Sequence, residues 1–549
     1  MNCQRNHRTW PVLLSVWAMF LLFGVIAAPI PGVNEPHYLC KAKHFWQPDW
    51  CSRDFFLASP NAHTVFYATI GSLTRIASFE QSAWIGRILA TLVLAWGWTK
   101  CLSRLLLSPR APVWCASLFL AFTACGNFSG EWLVGGVEGK VFCYGLLLAA
   151  FGEVLRDRWL PAAIWTGFAI SVHPVVGIWG LLAFAASRAV RLAIEWRQSR
   201  RAASASRFFV GKVDEQTLSR ASASQFSWSC LIHPAACQRY LVLVVLALPG
   251  LIPVVRLLME PASAEIRYEA NYLQVYFRLA HHLDPMMFPV RAYIGYAVLL
   301  TIWLSSFVWG GRTNSKKAFD NVVIWAVVFA IAGILIGFGP RPASLMPFFA
   351  ERMNLLKFYP FRLADVLLPI AVAASLMSVL ERTFLNVPSG EPRRFRIALP
   401  HAVVFLVFVA GLWRAGSISE TNRYSSEDRA DWLNVCRWID DHLPADAIVQ
   451  SPTNGWAFKW FAQRAEYVAF KDCPQNAAGI VEWNRRLNFL QRWYEQKYAD
   501  SFYSASELKE LRRVTGLTHL LTDRLGPLEL EPVYRNETFQ VYDLRTLSP

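Results

Sequence analysis

Charge is what this chain has least of, and where it is missing is informative. Asp, Glu, Lys and Arg make up 17% of its 549 residues, against about a quarter in ordinary soluble domains. Whole stretches, Val12 to Ile30 among them, carry none. With 54% hydrophobic residues, 24 Trp and a mean hydropathy of +0.28, the composition points away from a soluble fold and towards a polytopic membrane protein. No internal repeat of fixed period is present, and the apolar runs are nearly free of ionisable groups at their centres. Both weigh against a transporter or a lipid-linked-sugar flippase, which needs ionisable residues and broken helices at mid-membrane. The C-terminal part has no glycine loop able to cradle a phosphate and no Ser-His-Asp signature. His281-His282 lacks the spacing of paired metal ligands.

The charge that remains is arranged. Eleven apolar runs predict spans at about 11–30, 82–103, 112–128, 140–155, 159–173, 174–195, 239–259, 290–310, 321–339, 362–381 and 399–415. With the N-terminus in the cytoplasm, every inside loop is basic: Arg104 and Arg110, Arg156 and Arg158, Arg197 to Arg220, Arg312 with Lys316 and Lys317, and Arg393 to Arg396. The net charge of +15 therefore orients helices and calls for no nucleic acid. The first run follows Arg5 and Arg8 without a small-x-small cleavage site, and reads as a retained anchor rather than a signal peptide. Residues 61–78, with Arg75, read as an amphipathic helix in the interface. Residues 196–238, rich in Ser, Ala and Arg, read as a mobile cytoplasmic linker.

Two units are expected: a transmembrane unit over 1–415, with an outer loop at 31–60, and a small extracytoplasmic α/β domain over 416–549. In the latter, Trp432, Val435, Cys436 and Ile439 follow helical spacing, and a long polar helix is expected over 478–499. Strands are expected at 447–450, 467–470, 517–522 and 539–542. Cys40, Cys51, Cys436 and Cys473 face a compartment that permits disulfides. The sequence leaves open whether Cys40–Cys51 and Cys436–Cys473 form.

The outer loops hold the chemistry. The first gathers Glu35, His37, His44, Asp49 and Asp54 among aromatics. The second offers Glu131, Glu138 and Lys140, and His173 ends a span. The segment 260–289 adds Arg278, His281, His282 and Asp284. The segment 340–361 breaks the charge rule for outer loops with Arg341, Arg352 and Lys357, and Arg362 follows it. An anionic ligand such as the phosphate of a lipid carrier would account for those bases; pairing with nearby carboxylates is the plainer account.

Asn34-Glu35-Pro-His-Tyr38, Asp49-Trp50, Arg53-Asp54-Phe55 and His173-Pro174, in this order of spans, resemble the GT-C superfamily of membrane glycosyltransferases, and within it a bacterial family of polytopic membrane proteins. Trp438 to Ala447 resembles the start of soluble domains found on such proteins. The resemblance implies a polytopic α-helical fold of about eleven spans in a bacterial inner membrane. It also implies sugar transfer from a polyprenyl-phosphate donor on the extracytoplasmic face. Glu35 then matches the general base of the first outer loop, with Asp54 as a second base or a metal ligand. His37, Lys140, His173, Arg341, Arg352 and Lys357 would bind substrate, the bases stabilising the departing phosphate. Mg²⁺ or Mn²⁺ is the cofactor such chemistry sometimes uses, and membrane lipids are further partners. Asn34-Glu35 stands where many GT-C enzymes carry Asp or an Asp-Glu pair. That departure keeps a second reading in view, an inactive GT-C-like protein that binds a partner. If one site does the chemistry, Glu35, Asp54 and at least one of Arg341, Arg352 and Lys357 should line a common pocket.

Overall fold

The computed structural model describes residues 9–547 apart from 33, 125–126, 209–233, 310–312, 386–392, 418–425, 454, 496–501, 524 and 526. A helix lies at each of the eleven apolar runs: α1 (Thr9–Ala27), α3 (Phe79–Leu105), α4 (Ala111–Ala124), α5 (Gly139–Val154), α6 (Trp159–Val172), α7 (Pro174–Phe208), α8 (Pro234–Leu258), α10 (Val290–Trp309), α11 (Asn314–Gly337), α12 (Arg362–Leu385) and α13 (Arg393–Ser417). Between them α2 (Glu35–Trp46) and α9 (Ala264–Tyr272) lie in connecting segments. Seven helices among the described residues are long and apolar enough to cross a membrane, and three more apolar helices are shorter. The chain is an integral membrane protein.

Elements start where caps dictate. Ser78 and Gln81 form a capping box at the head of α3, satisfying two backbone donors that the first turn leaves free. The centre is α3 packed along α5, with α6 against α5 and α8 against α6. Gly97 makes that contact possible. A Cβ there would stand 1.9 Å from the Gly145 carbonyl oxygen, so the two backbones touch as no larger residue would allow.

Two expectations change. Residues 61–78 form two short turns, Thr64–Ala68 and Ile70–Arg75, instead of one interfacial helix. Phe66, Tyr67 and Thr74 are buried, because the segment folds back on α2 instead of lying flat on lipid. The linker begins later than 196, since α7 runs on to Phe208; residues 209–233 lie outside the described residues.

After α14 (Ser426–His442) comes a five-stranded sheet of order β2-β1-β3-β5-β4, with β1 (Ile448–Gln450), β2 (Ala465–Glu466), β3 (His519–Thr522), β4 (Tyr534–Arg535) and β5 (Gln540–Asp543). β1 pairs parallel with β2 and β3; β5 pairs antiparallel with β3 and β4. The second strand lies at 465–466, ahead of the expected 467–470. Helices α15 (Ala477–Glu495) and α16 (Ala505–Thr515) complete this part. Cys40, Cys51, Cys436 and Cys473 are all free thiols.

Candidate functional site

One end of the bundle collects a large share of the buried charge, Glu35, Arg87, Glu131, Glu138, Lys140 and Asp365 among it. Glu35, the first residue of α2, is wholly buried. Arg87, one turn into the apolar part of α3, donates from Nε to Glu35 Oε1 at 2.6 Å and from Nη2 to Oε2 at 2.7 Å. The backbone N–H groups of Gly32 and Val137 donate to the same carboxylate, at 2.6 and 2.9 Å. A Cβ on Gly136 would meet Glu35 at 3.1 Å, so glycine is what lets the 134–137 loop close over it. Both Glu35 oxygens are thus committed, each accepting two bonds.

Beside this lock lies a second cluster. Glu131 Oε2 stands 3.2 Å from Arg362 Nε and 3.6 Å from Lys140 Nζ. Lys140 also faces Glu138 Oε2 at 3.4 Å, and Glu138 accepts from Asn34 Nδ2. Lys140 sits 3.9 Å over the Trp132 ring and Arg362 sits 3.7 Å over Tyr359, cation–π contacts that hold each cation in place. Tyr359 takes a left-handed backbone, φ 56°, the kind of strain that gathers at functional sites. Glu131 is 3% exposed, and its Oε1 has no hydrogen-bond partner among the described residues. Asp365, one turn into α12, accepts from the Phe128 and Ser129 N–H groups at 2.9 and 2.8 Å and from Ser129 Oγ at 2.6 Å. That carboxylate fixes the loop that carries Glu131.

His63 and His173 come together here, rings 5.5 Å apart, and Tyr38 packs on His63. His173 Nδ1 accepts from the Val176 N–H at 3.3 Å, which leaves its hydrogen on Nε2. Burial pushes His63 down to about 4, so its imidazole is neutral at pH 7. The Tyr144 hydroxyl donates to the Arg362 carbonyl at 2.9 Å. Beside it lies a narrow apolar cleft between α5, α7, α11 and α12, lined by Leu147, Phe151, Phe184, Phe319, Leu363 and Leu367 among others.

A third network ties the sheet region to this end. Lys459 pairs with Asp472, with Glu466 at 3.1 Å and with Asp54 at 3.4 Å. Asp54 also caps the turn Phe55–Ala58 through the Leu57 N–H, at 2.8 Å, and accepts from the Glu466 N–H at 3.0 Å. His37 meets Asp472 at 3.0 Å. Burial lowers His37 more than Asp472 raises it, so at neutral pH that contact is a hydrogen bond and not an ion pair.

The expected bases are placed elsewhere. Arg341 pairs with Asp284. Arg352 donates to the Ile336 and Pro347 carbonyls at 2.6 and 2.9 Å. Lys357 reaches Asn271 and Asn354 at 3.2 and 3.1 Å. None of the three shows a hydrogen bond or ion pair to Glu35 or Asp54 among the described residues; each has local partners of its own. Pairing with local carboxylates, carbonyls and amides accounts for the basic loop. Lys140 and His173 lie in the second cluster; His37 and Asp54 lie in the third.

No group of three or more His, Cys, Asp or Glu among the described residues could hold a metal ion, and Glu131 and Glu138 are already compensated by Lys140 and Arg362.

Against this geometry, residues 430–490 match a family model described as DUF6798, a domain of unknown function. No curated protein matches the chain. The structure is similar to ArnT from Cupriavidus metallidurans bound to undecaprenyl phosphate, with 12% identity, 97% of this chain and 98% of that one covered, and a TM-score of 0.50. The apo state of ArnT gives 11% identity, 98% and 99% coverage and a TM-score of 0.50. AglB from Archaeoglobus fulgidus, in complex with an inhibitory peptide and a dolichol-phosphate, follows at 12% identity, 95% and 70% coverage and 0.45. ArnT is a GT-C superfamily membrane glycosyltransferase, and this chain has the GT-C fold.

Proposed function

We propose that the protein transfers a sugar from a polyprenyl-phosphate carrier to a hydroxyl-bearing acceptor at the Glu131–Lys140–Arg362 cluster. The observation that carries this is Glu131: a buried carboxylate with one uncommitted oxygen, set between two cations, one of which, Arg362, accepts at its carbonyl from Tyr144 of the apolar cleft. The cleft is apolar, as a prenyl chain would require, Lys140 and Arg362 would supply the charge for a carrier phosphate, and ArnT, whose fold it shares, is a protein bound to undecaprenyl phosphate.

In this reading the acceptor oxygen attacks the anomeric carbon while the bond from that carbon to the phosphate oxygen breaks. The acceptor proton passes to Glu131 Oε1, and polyprenyl phosphate leaves with the electron pair, its charge held by Lys140 and Arg362. Glu35 holds the 134–137 loop and Asp54 holds the sheet region; both position rather than react. The cluster faces the extracytoplasmic side of a bacterial inner membrane, with the N-terminus in the cytoplasm, eleven spans over 1–415 and residues 416–549 outside as a small α/β domain. An inactive relative would have no need of an uncommitted buried carboxylate beside two cations, and this disfavours that alternative.

The test is transfer by purified protein from a panel of polyprenyl-phosphate sugars. Glu131→Gln should lower turnover by about 10²–10⁴, the contribution of a positioned base, with KM for the donor little changed. Turnover within threefold of wild type would remove Glu131 from the mechanism. If Glu35→Gln instead abolished turnover without loss of stability, the base would move there.

A further inference from the structure

A second cleft lies at the end of the bundle away from the Glu131 cluster, where α3, α10, α11 and α12 meet. α12 starts at Arg362, beside Glu131, and reaches this cleft near its other end with Ser375, Ser378, Glu381 and Arg382. α3 carries Arg87 in its first half and arrives with Leu105, its last residue. Thr313 and Lys316, at the head of α11, close the other side. Arg382 lies 20 residues along α12 from Arg362. At 1.5 Å per residue that is about 30 Å, the thickness of a bilayer's hydrocarbon core. The cleft therefore sits at the opposite membrane face from the reaction cluster. Arg104, Arg110 and Lys317 lie at the same end, and residues 104–110 and 313–319 bring no carboxylate.

The groups lining this cleft have unequal commitments. Arg382 is half-buried and forms no hydrogen bond or ion pair among the described residues. Its neighbour Glu381 is spoken for: its oxygens accept from the Ser108 and Leu107 N–H groups at 2.5 and 3.0 Å. Lys316 is buried and pairs with Asp320. Thr313 Oγ1 accepts from the Lys316 N–H at 3.1 Å, which leaves its own O–H to donate. Ser375 and Ser378 donate to the Ala371 and Ala374 carbonyls at 2.7 and 2.8 Å, so they offer lone pairs only. Leu105, Leu107 and Val379 supply an apolar wall. A guanidinium held partly out of water without a partner favours an anion, and its planar fork fits phosphate oxygens. A small soluble anion would gain nothing from the apolar wall, whereas an amphiphile uses both.

We infer that this cleft binds an anionic glycerophospholipid from the leaflet at that face. Its phosphodiester lies on Arg382 and the Thr313 hydroxyl, a hydroxylated headgroup donates to Ser375 and Ser378, and an acyl chain runs along Leu105, Leu107 and Val379. The site shares no residue with the transfer reaction proposed above and does not depend on it.

The experiment is native mass spectrometry of the full-length protein, delipidated in neutral detergent and titrated with phosphatidylglycerol. One molecule should bind ahead of the rest. Phosphatidylcholine, whose headgroup adds a cation to the same phosphate, should bind about tenfold more weakly. Arg382→Gln should weaken the first binding about tenfold, the loss of one charge-assisted contact. Arg110→Gln removes an exposed charge at the same end but outside the cleft, and should leave binding unchanged. Ser378→Leu narrows the cleft while keeping both cations and should also weaken it, so the test stands even where Arg382→Gln does not fold; the thermal midpoint of each variant is recorded alongside. Equal binding of the two lipids, wild-type binding by a folded Arg382→Gln or Ser378→Leu, or an equal loss in Arg110→Gln overturns the inference. Displacement of the lipid by glycerol 3-phosphate also overturns it, because the site would then take a soluble phosphate.

Discussion

Replacing Glu35 by Gln should unfold the protein more readily before it does anything to catalysis. Glu35 is 0% exposed and Arg87 2%, and four donors converge on the carboxylate, from 2.6 to 2.9 Å. Gln keeps the shape but turns an NH₂ toward donors and leaves Arg87 charged and unpaired. Breaking one side of such a buried pair costs about 3–5 kcal/mol, which at about 1.4 kcal/mol per decade moves the unfolding constant by roughly two to four powers of ten. Arg87→Met alone strands the carboxylate and should cost a similar amount. Together, Glu35→Gln and Arg87→Met leave no buried charge, and the double variant should regain most of the loss because two neutral groups carry no such penalty. Unfolding in a denaturing-detergent titration, followed by tryptophan fluorescence, measures all three. A Glu35→Gln protein as stable as wild type would refute the lock. So would a double variant whose loss equals the sum of the singles.

Asp365→Asn should disorder the 128–131 loop and lower transfer through turnover, because the loop's N–H groups lose the acceptor that places Glu131; wild-type turnover would show that the loop is held otherwise. Acid should loosen the sheet region. Lys459 and His37 hold Asp472 well below the ordinary carboxylate range, so its contribution is present above about pH 4, its unfolded value, and is lost as pH falls toward its folded one. Limited proteolysis between pH 6 and 3 should show new cleavage near 442–465 in wild type at the acid end. In Lys459→Met that cleavage should already appear at pH 6, and resistance of this variant there would refute the lock. Cys51 is buried and pushed up to about 12, so a maleimide should label it only in denaturant, and mass analysis without reductant should show no Cys40–Cys51 bond.

The helices were legible because membrane helices are written as long apolar runs. Lys140 and His173 could be found as polar residues at the ends of those runs. Glu35 was visible, but not its partner. Arg87 and Asp365 each lie in an otherwise apolar helix, and a lone charge there is a recognisable signal of a buried partner or a site. His63 was hidden by reading 61–78 as one surface helix. Lys459 and Asp472 could not be paired with Asp54 and His37 across some four hundred residues, because nothing local encodes that contact. Arg341, Arg352 and Lys357 misled for the opposite reason: a cluster of bases in sequence dispersed onto separate local acceptors once folded.

The three networks also assign different duties to similar charges. Two carboxylates at this end, Glu35 and Asp365, accept bonds at both oxygens from backbone or guanidinium; proton transfer to either would first have to break those bonds. Glu131 shares one oxygen with two cations and keeps the other free. A base must be held in place and still have a lone pair to spend, and among these three buried carboxylates only Glu131 meets both conditions. The same reasoning separates the histidines. His173 has committed its acceptor nitrogen to the backbone and can only donate, whereas His63 is neutral with Nδ1 unpartnered. If Glu131→Gln retained transfer, His63 would be the next base to remove, and His63→Phe, which keeps an aromatic ring against Tyr38 and His173, would then be the variant that abolishes it.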